Sequence, residues 1–133
     1  MSLFDSSAII NLCGEKRISK LLEGWTLNLA FYELGNAVWR QVYIHKAITP
    51  EEANTLLDAL TEVFMNLKKP EKENSLEILK IAAREGLTYY DAAYIQAAIE
   101  NKLTLVTDYE QLLRVGEKFV ETIKSSELSQ QQL

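Results

Sequence analysis

The chain predicts an α/β fold built on a mainly parallel sheet covered by helices on both faces. Three observations predict it. Short apolar runs suited to strands alternate with segments whose apolar residues recur at helical spacing. The first such run, Leu3-Phe4, stands at the N-terminal end, where a strand stays ordered only if neighbours hold it on both sides. It is therefore read as a central strand. Asp5-Ser6-Ser7 follows at once and reads as a helix start, which puts a carboxylate at the strand's carboxyl end. Open α/β sheets place their sites there.

The elements follow in order. Ala8 to Cys13 reads as a short helix stopped near Gly14, and Ile18, Leu21 and Leu22 as a second helical piece ending at Gly24. Trp25 to Leu29 alternates bulky and polar residues, a strand signal. From Ala30 the period changes, and Phe31, Leu34, Ala37, Val38 and Val42 share one face of a helix running to about Lys46. Gly35 inside it is unfavourable and points to a close backbone approach. Thr49-Pro50-Glu51-Glu52 can form a capping box with proline at the first helical position. That helix carries an apolar stripe from Ala53 to Leu67, wide enough to meet a second copy of the chain. A short edge strand is expected around Leu67.

Ser75 is expected to cap the next helix, with Leu76, Leu79, Ala82 and Ala83 inward and Gly86 ending it. Thr88 starts another, whose Ala92, Ala93, Ala97 and Ala98 allow close packing on a sheet. Leu103 to Val106 is a strand, Leu112 to Val115 a short helix closed by Gly116, and Phe119 to Ile123 a last strand. The count is four to five strands. Residues 1–124 form one domain, and the Ser/Gln-rich residues 125–133 are expected to fray as a tail.

Composition excludes several classes. At 133 residues the chain can bury one real core. A net charge of −5 argues against a broad basic surface for nucleic acid. It leaves open an enzyme that meets nucleic acid through a metal, since the metal brings its own charge. One cysteine, Cys13, allows no internal disulfide. With no apolar run of membrane-spanning length and no signal segment, it leads to the expectation of a cytoplasmic protein off the membrane. His45 is the single histidine, so a His-rich zinc site or a Ser-His-Asp triad has little to work with, and the site logic needs partners that His45 lacks. It reads as a surface or helix-end residue.

Four acids then stand out: Asp5, Glu33, Asp91 and Asp108. Singly, each aspartate has an ordinary reading. Asp5 and Asp108 can cap helices after strands, and Asp91 lies three residues after Thr88 as in a capping box. Glu33 fits that reading badly. It lies early in an apolar helix and faces Asn36 and Ala37, with no basic partner one turn on. Taken together, the acids leave a parallel sheet at one end. Four carboxylates there repel unless a divalent cation sits among them, and all-oxygen ligation suits Mg²⁺ or Mn²⁺. Such an ion can generate hydroxide and stabilise a phosphodiester under in-line attack.

The same residues resemble a family. Leu3-Phe4-Asp5-Ser6-Ser7, Tyr32-Glu33-Leu34-Gly35-Asn36-Ala37, Leu87-Thr88-Tyr89-Tyr90-Asp91-Ala92-Ala93-Tyr94 and Leu105-Val106-Thr107-Asp108 are similar to the ordered motifs of PIN domains. The nearest likeness is to VapC-type toxin ribonucleases of prokaryotic VapBC toxin–antitoxin pairs, and it covers nearly the whole chain. Each motif is loose; the four in order are more specific. The resemblance implies a three-layer α/β/α sandwich, metal-dependent endonuclease activity on RNA, a homodimer and an inhibitory antitoxin. It also implies that Asp5, Glu33 and Asp91 are acidic metal-site positions, that Ser7 and Thr107 are supporting hydroxyls, and that Asn36 neighbours the glutamate.

The last motif departs from the pattern. Many members place the aspartate two residues after the threonine, whereas Asp108 follows Thr107 directly and Tyr109 holds the next place. Either Asp108 or Glu110 completes the site, and one tightly held ion becomes more plausible than two. The rivals are fewer. No G-x-G-x-x-G or P-loop occurs. A receiver-like signalling module would need paired acids after the first strand, where serines stand. A catalytically silent PIN-like module that binds RNA or protein remains the alternative. Lys16, Arg17, Lys20 and Arg40 are candidates for positive charge at the site mouth, against the reading of a merely solvated face.

Overall fold

The computed structural model describes residues 1–21 and 23–128. Its elements are β1 (Ser2–Phe4), α1 (Ser6–Gly14), α2 (Ala30–Tyr43), α3 (Pro50–Asn66), α4 (Ser75–Glu85), α5 (Tyr89–Asn101), β2 (Thr104–Val106), α6 (Glu110–Gly116) and β3 (Thr122–Ile123). Single 3-10 turns lie at Ile18–Lys20 and Ser125–Glu127. Leu22, expected in the first of these turns, lies outside the described residues.

The sheet is parallel, in the order β1-β2-β3. Phe4 pairs with Val106, and Val106 with Ile123. On the other side of β1, isolated parallel bridges join Leu3 to Trp25 and Trp25 to Lys68. β1 is thus held from both sides, as its position required. The four to five strands expected reduce to three, because two of them are single-residue bridges. At Trp25–Leu29 the pairing stops after one residue: Thr26 gives its hydroxyl to the Phe4 carbonyl at 2.7 Å, and the chain then turns into α2. The last strand shortens because Phe119 and Val120 fold back onto the Gly116 carbonyl at 2.9 and 3.0 Å.

Alternation along the strands makes the three layers. Leu3 and Leu105 point into one core with residues of α4, α5 and α6. Phe4, Val106 and Ile123 point into the other, with α1, α2 and α3. Successive strand side chains must face opposite ways, so each two-residue step feeds both cores.

Local chemistry sets the helix ends. Thr49 and Glu52 close the capping box at α3, with bonds of 3.1 and 2.9 Å. Gly86 ends α4 at φ 69°, a left-handed turn that glycine adopts without strain. Two expectations about α4 are corrected. Asn74, not Ser75, caps it, accepting from the Glu77 amide at 3.2 Å. Ile78, Ile81 and Ala82 are inward, while Leu76, Leu79 and Ala83 are exposed. Apolar residues lie on both sides of this helix, so period alone left its phase open, and contact with α5 decided it. Gly35 is also unlike its expectation: a Cβ there would meet nothing within 4 Å. His45 is exposed just beyond α2, as read.

Of the residues expected to fray from 125 on, Ser125 and Leu128 are buried; residues 129–133 lie outside the described residues.

Candidate active site

The site forms where β1 and β2 end. Because Phe4 pairs with Val106, the residues that follow them, Asp5 and Thr107, leave the sheet side by side. Asp5 is 1% exposed and performs two tasks at once. Its Oδ1 caps α1, accepting from the Ala8 amide at 2.9 Å and the Ser7 hydroxyl at 2.7 Å. Its Oδ2 accepts from the Thr107 hydroxyl. Ser7 Oγ also accepts from the Asp108 amide at 2.9 Å, and Thr107 Oγ1 from the Tyr109 amide at 3.1 Å. The two supporting hydroxyls therefore stitch both strand ends to one carboxylate.

Glu33 enters from the first turn of α2. Its partner comes from another helix. Tyr94 on α5, itself buried, donates its hydroxyl to Glu33 Oε1 at 2.7 Å. Sequence reading missed this residue, although Tyr94 lies three places after Asp91 and so shares its helix face. Asn36, one turn after Glu33, is exposed beside it and lines the same clefts. Asp91 lies in the first turn of α5. Thr88 caps that helix through the Asp91 amide at 3.1 Å, but Asp91 does not return the bond, unlike Glu52 at α3. Its carboxylate accepts no hydrogen bond from a side chain or amide among the described residues.

The electrostatics link these three acids. Burial, followed by the Asp108 charge, raises Asp5 from 3.8 to about 6 against its hydrogen bonds. Burial raises Glu33 from 4.5 to about 7, with the Asp5 and Asp91 charges adding to it. Burial raises Asp91 as well. The Tyr109 hydroxyl is shifted upward by burial first, with the charges of Asp5, Glu33 and Asp91 adding to it.

Asp108 is held differently. Asn11 and the Ser125 hydroxyl donate to its Oδ2 at 2.7 and 2.6 Å, and the Ser125 amide to its Oδ1 at 3.0 Å. It does not cap α6, whose first residue follows Tyr109 with no side-chain cap. Asn11 and Ser125 gave no signal in the sequence, since both lie far from the acids along the chain. Glu110 is exposed in the first turn of α6. Of the four cations, Arg40 lines a cleft with Glu33. Arg17 is paired with Glu15 at 3.1 Å.

Among the described residues, no three His, Cys, Asp or Glu side chains are gathered closely enough to enclose an ion as they stand. The donor chemistry nonetheless fits a hard cation. A carboxylate offers about four lone-pair sites. Asp5 uses three, Glu33 Oε1 accepts one bond from Tyr94, and Asp91 is uncommitted. What is left over is oxygen from three acids that burial, and at Glu33 the charges of the other two, make costly to ionise without a counter-charge.

Comparison with known proteins identifies the family. The chain is similar to the exonuclease VapC9 of Pyrobaculum aerophilum, 33% identical over 113 residues that cover 84% of this chain and 82% of that protein. It is similar to the ribonuclease VapC3 of the same organism, 35% identical over 109 residues, 79% and 78% of the two chains. The crystal structure of PAE2754, also from Pyrobaculum aerophilum, superposes with a TM-score of 0.81 at 29% identity, covering 97% of this chain and 94% of that one. The description of the PIN domain matches residues 3–118. With that match spanning most of its length, the chain belongs to the PIN domain family.

Proposed function

We propose that this protein is an endoribonuclease dependent on Mg²⁺ or Mn²⁺, the toxin of a toxin–antitoxin pair, and that its cognate antitoxin binds it as a protein partner. One observation supports the reading most: Asp5 leaves the carboxyl end of β1, and its charge and that of Asp91 add to burial in raising Glu33 to about 7, so the three acids share one electrostatic neighbourhood. The relatives' names, ribonuclease VapC3 and exonuclease VapC9, support nuclease chemistry.

Asp5, Glu33 and Asp91 would hold the ion. Glu33 and Asp91 are less buried than Asp5, and Asp91, whose carboxylate accepts no hydrogen bond among the described residues, is the one free to turn toward it. When bound, the ion lowers the pKa of a water and neutralises the phosphodiester charge. The chain's own residues do the rest. Thr107 and Ser7 fix the Asp5 carboxylate, Tyr94 orients Glu33, and Asn36 lies where a water or the RNA backbone would meet Glu33. Asp108 acts from the rim. Its carboxylate ties Asn11 and Ser125 to the strand ends, and its charge adds to the field at Asp5.

The test is cleavage of a circular and a linear RNA with Mn²⁺, Mg²⁺ or EDTA, for the wild type, Asp5→Asn and Glu33→Gln. Metal-dependent opening of the circle, lost in both variants, is expected. Cleavage of the linear form alone would make the enzyme an exonuclease. No cleavage of either, with RNA still bound, would leave a silent binding module. Self-association is part of the same proposal: exposed Leu76 and Leu79, three residues apart on α4, offer an apolar strip to a second copy. Light scattering of the wild type against Leu76→Glu checks it. Among the described residues no helix is long and apolar enough to cross a membrane; a cytoplasmic site of action is part of the proposal.

A further inference from the structure

Two clefts meet at Glu33 and Asn36. One, of about 320 Å³, is lined by Leu29, Tyr32, Glu33, Asn36 and Tyr90. The other, of about 460 Å³, adds Arg40 and Tyr109 to Glu33 and Asn36. Both are in the size range of small-ligand sites, roughly 300–1,000 Å³. Tyr32, Asn36 and Arg40 recur at every fourth residue of α2 and form one ridge about 12 Å long at 1.5 Å per residue. Glu33 lines both clefts beside this ridge.

The aromatic cleft is built, not incidental. Tyr32 is 75% and Tyr90 63% exposed, which is unfavourable for rings of this size without something to cover them. Tyr32 is nevertheless braced: Phe31 meets it edge-on, with centroids 5.2 Å apart, and Phe31 in turn packs at 5.6 Å on buried Phe64. Tyr90 comes from α5, one residue before Asp91, so its backbone is fixed by the helix start that positions that acid. Arg40 forms no ion pair among the described residues.

We propose that the cleft between Tyr32 and Tyr90 seats an unstacked nucleobase of single-stranded RNA next to the bond that is cut, while Arg40 takes a phosphate on the far side of the acids. The proposal rests on the nuclease reading above and adds where the strand lies. A base inside a duplex has both faces covered, so only a splayed base can enter. Aromatic stacking supplies affinity that does not depend on sequence. It also explains how a chain of net charge −5 holds RNA: one arginine and two rings replace a basic surface. Binding should then depend only shallowly on salt, with a log–log slope near −1 for one or two phosphate contacts at about 0.7 each.

The experiment uses a fluorescein-labelled, unstructured RNA of twelve nucleotides. Its anisotropy is measured with each variant in EDTA, and kcat and KM for its cleavage are measured with Mn²⁺. Tyr32→Ala and Tyr90→Ala are expected to weaken binding and raise KM by about tenfold to a hundredfold. Tyr32→Phe should stay within twofold of the wild type, as should Tyr43→Ala, which removes an exposed ring far along α2. The same RNA annealed to its complement should compete poorly. The proposal is overturned if Tyr32→Ala and Tyr90→Ala bind and cleave like the wild type, or if the wild type binds no single-stranded RNA. The nuclease reading fails separately: if the wild type binds RNA through Tyr32 and Tyr90 but never cleaves it, the cleft stands and the catalytic assignment falls.

Discussion

Replacing Asp5 by asparagine separates the two tasks of this carboxylate. Capping needs an oxygen that accepts from the Ala8 amide, which asparagine supplies as well as aspartate. The site needs a negative charge, which asparagine lacks. Asp5 is buried and its folded-state value is raised from 3.8 to about 6, so the native state holds the proton more tightly than the unfolded chain does. Between those values the folded protein binds more protons, and its stability falls as pH rises. That contribution is fully present below about pH 4 and lost above about pH 6. At about 1.4 kcal/mol per pKa unit, the ionised carboxylate burdens the metal-free fold by about 3 kcal/mol at pH 8. Asp5→Asn should therefore raise the metal-free melting temperature at pH 8 by about 10 °C. The gain should shrink toward zero at pH 4, and Mn²⁺ should stabilise the wild type much more than the variant. Cleavage should be abolished. Asp5→Ala should instead destabilise at both pH values, by ~1 kcal/mol for the lost cap and more for the donors left unpaired. Scanning calorimetry at pH 4 and 8, with EDTA or Mn²⁺, decides the matter. A variant less stable than the wild type at pH 8, or one that still cleaves, would refute the electrostatic account.

Three further outcomes are expected. Tyr94→Phe removes the hydroxyl that orients Glu33 at 2.7 Å, a charge-assisted bond worth about 1.5–3 kcal/mol, so kcat should drop about tenfold to a hundredfold in a steady-state cleavage assay with KM little changed. Mn²⁺ competes with protons on Glu33 and Asp5, which titrate near 7 and 6; its affinity by titration calorimetry should rise from pH 5.5 to pH 8, and a flat profile would exclude these ligands. Gly35→Ala adds a methyl group that meets nothing within 4 Å, so thermal denaturation should show a gain of about 0.5–1 kcal/mol.

Much of the site was legible because its residues obey local rules. Asp5 follows a strand and starts a helix, Thr88 caps α5, and Glu33 is a carboxylate on an otherwise apolar helix with no cation beside it. Each of these is a conflict or a signal visible within a few residues. The partners were not legible. Tyr94 meets Glu33 across 61 positions of sequence, and Asp108 meets Ser125 and Asn11 across 17 and 97. Such bonds depend on how helices dock, and no local pattern encodes docking. The phase of α4 was missed for the same reason, since Leu76 and Leu79 are as apolar as the Ile78 and Ile81 that went inward.

By itself the sequence determined the order of the main elements, the caps at Asp5, Thr49 and Thr88 and the placement of Asp5 and Asp108 after strands, because backbone propensity, capping and period act over a few residues. Only the tertiary structure decided which strands pair at length, which face of α4 is covered and which donors each acid receives. Parallel pairing and helix docking join residues that are distant in the chain, and those contacts exist only once both cores have closed on the sheet.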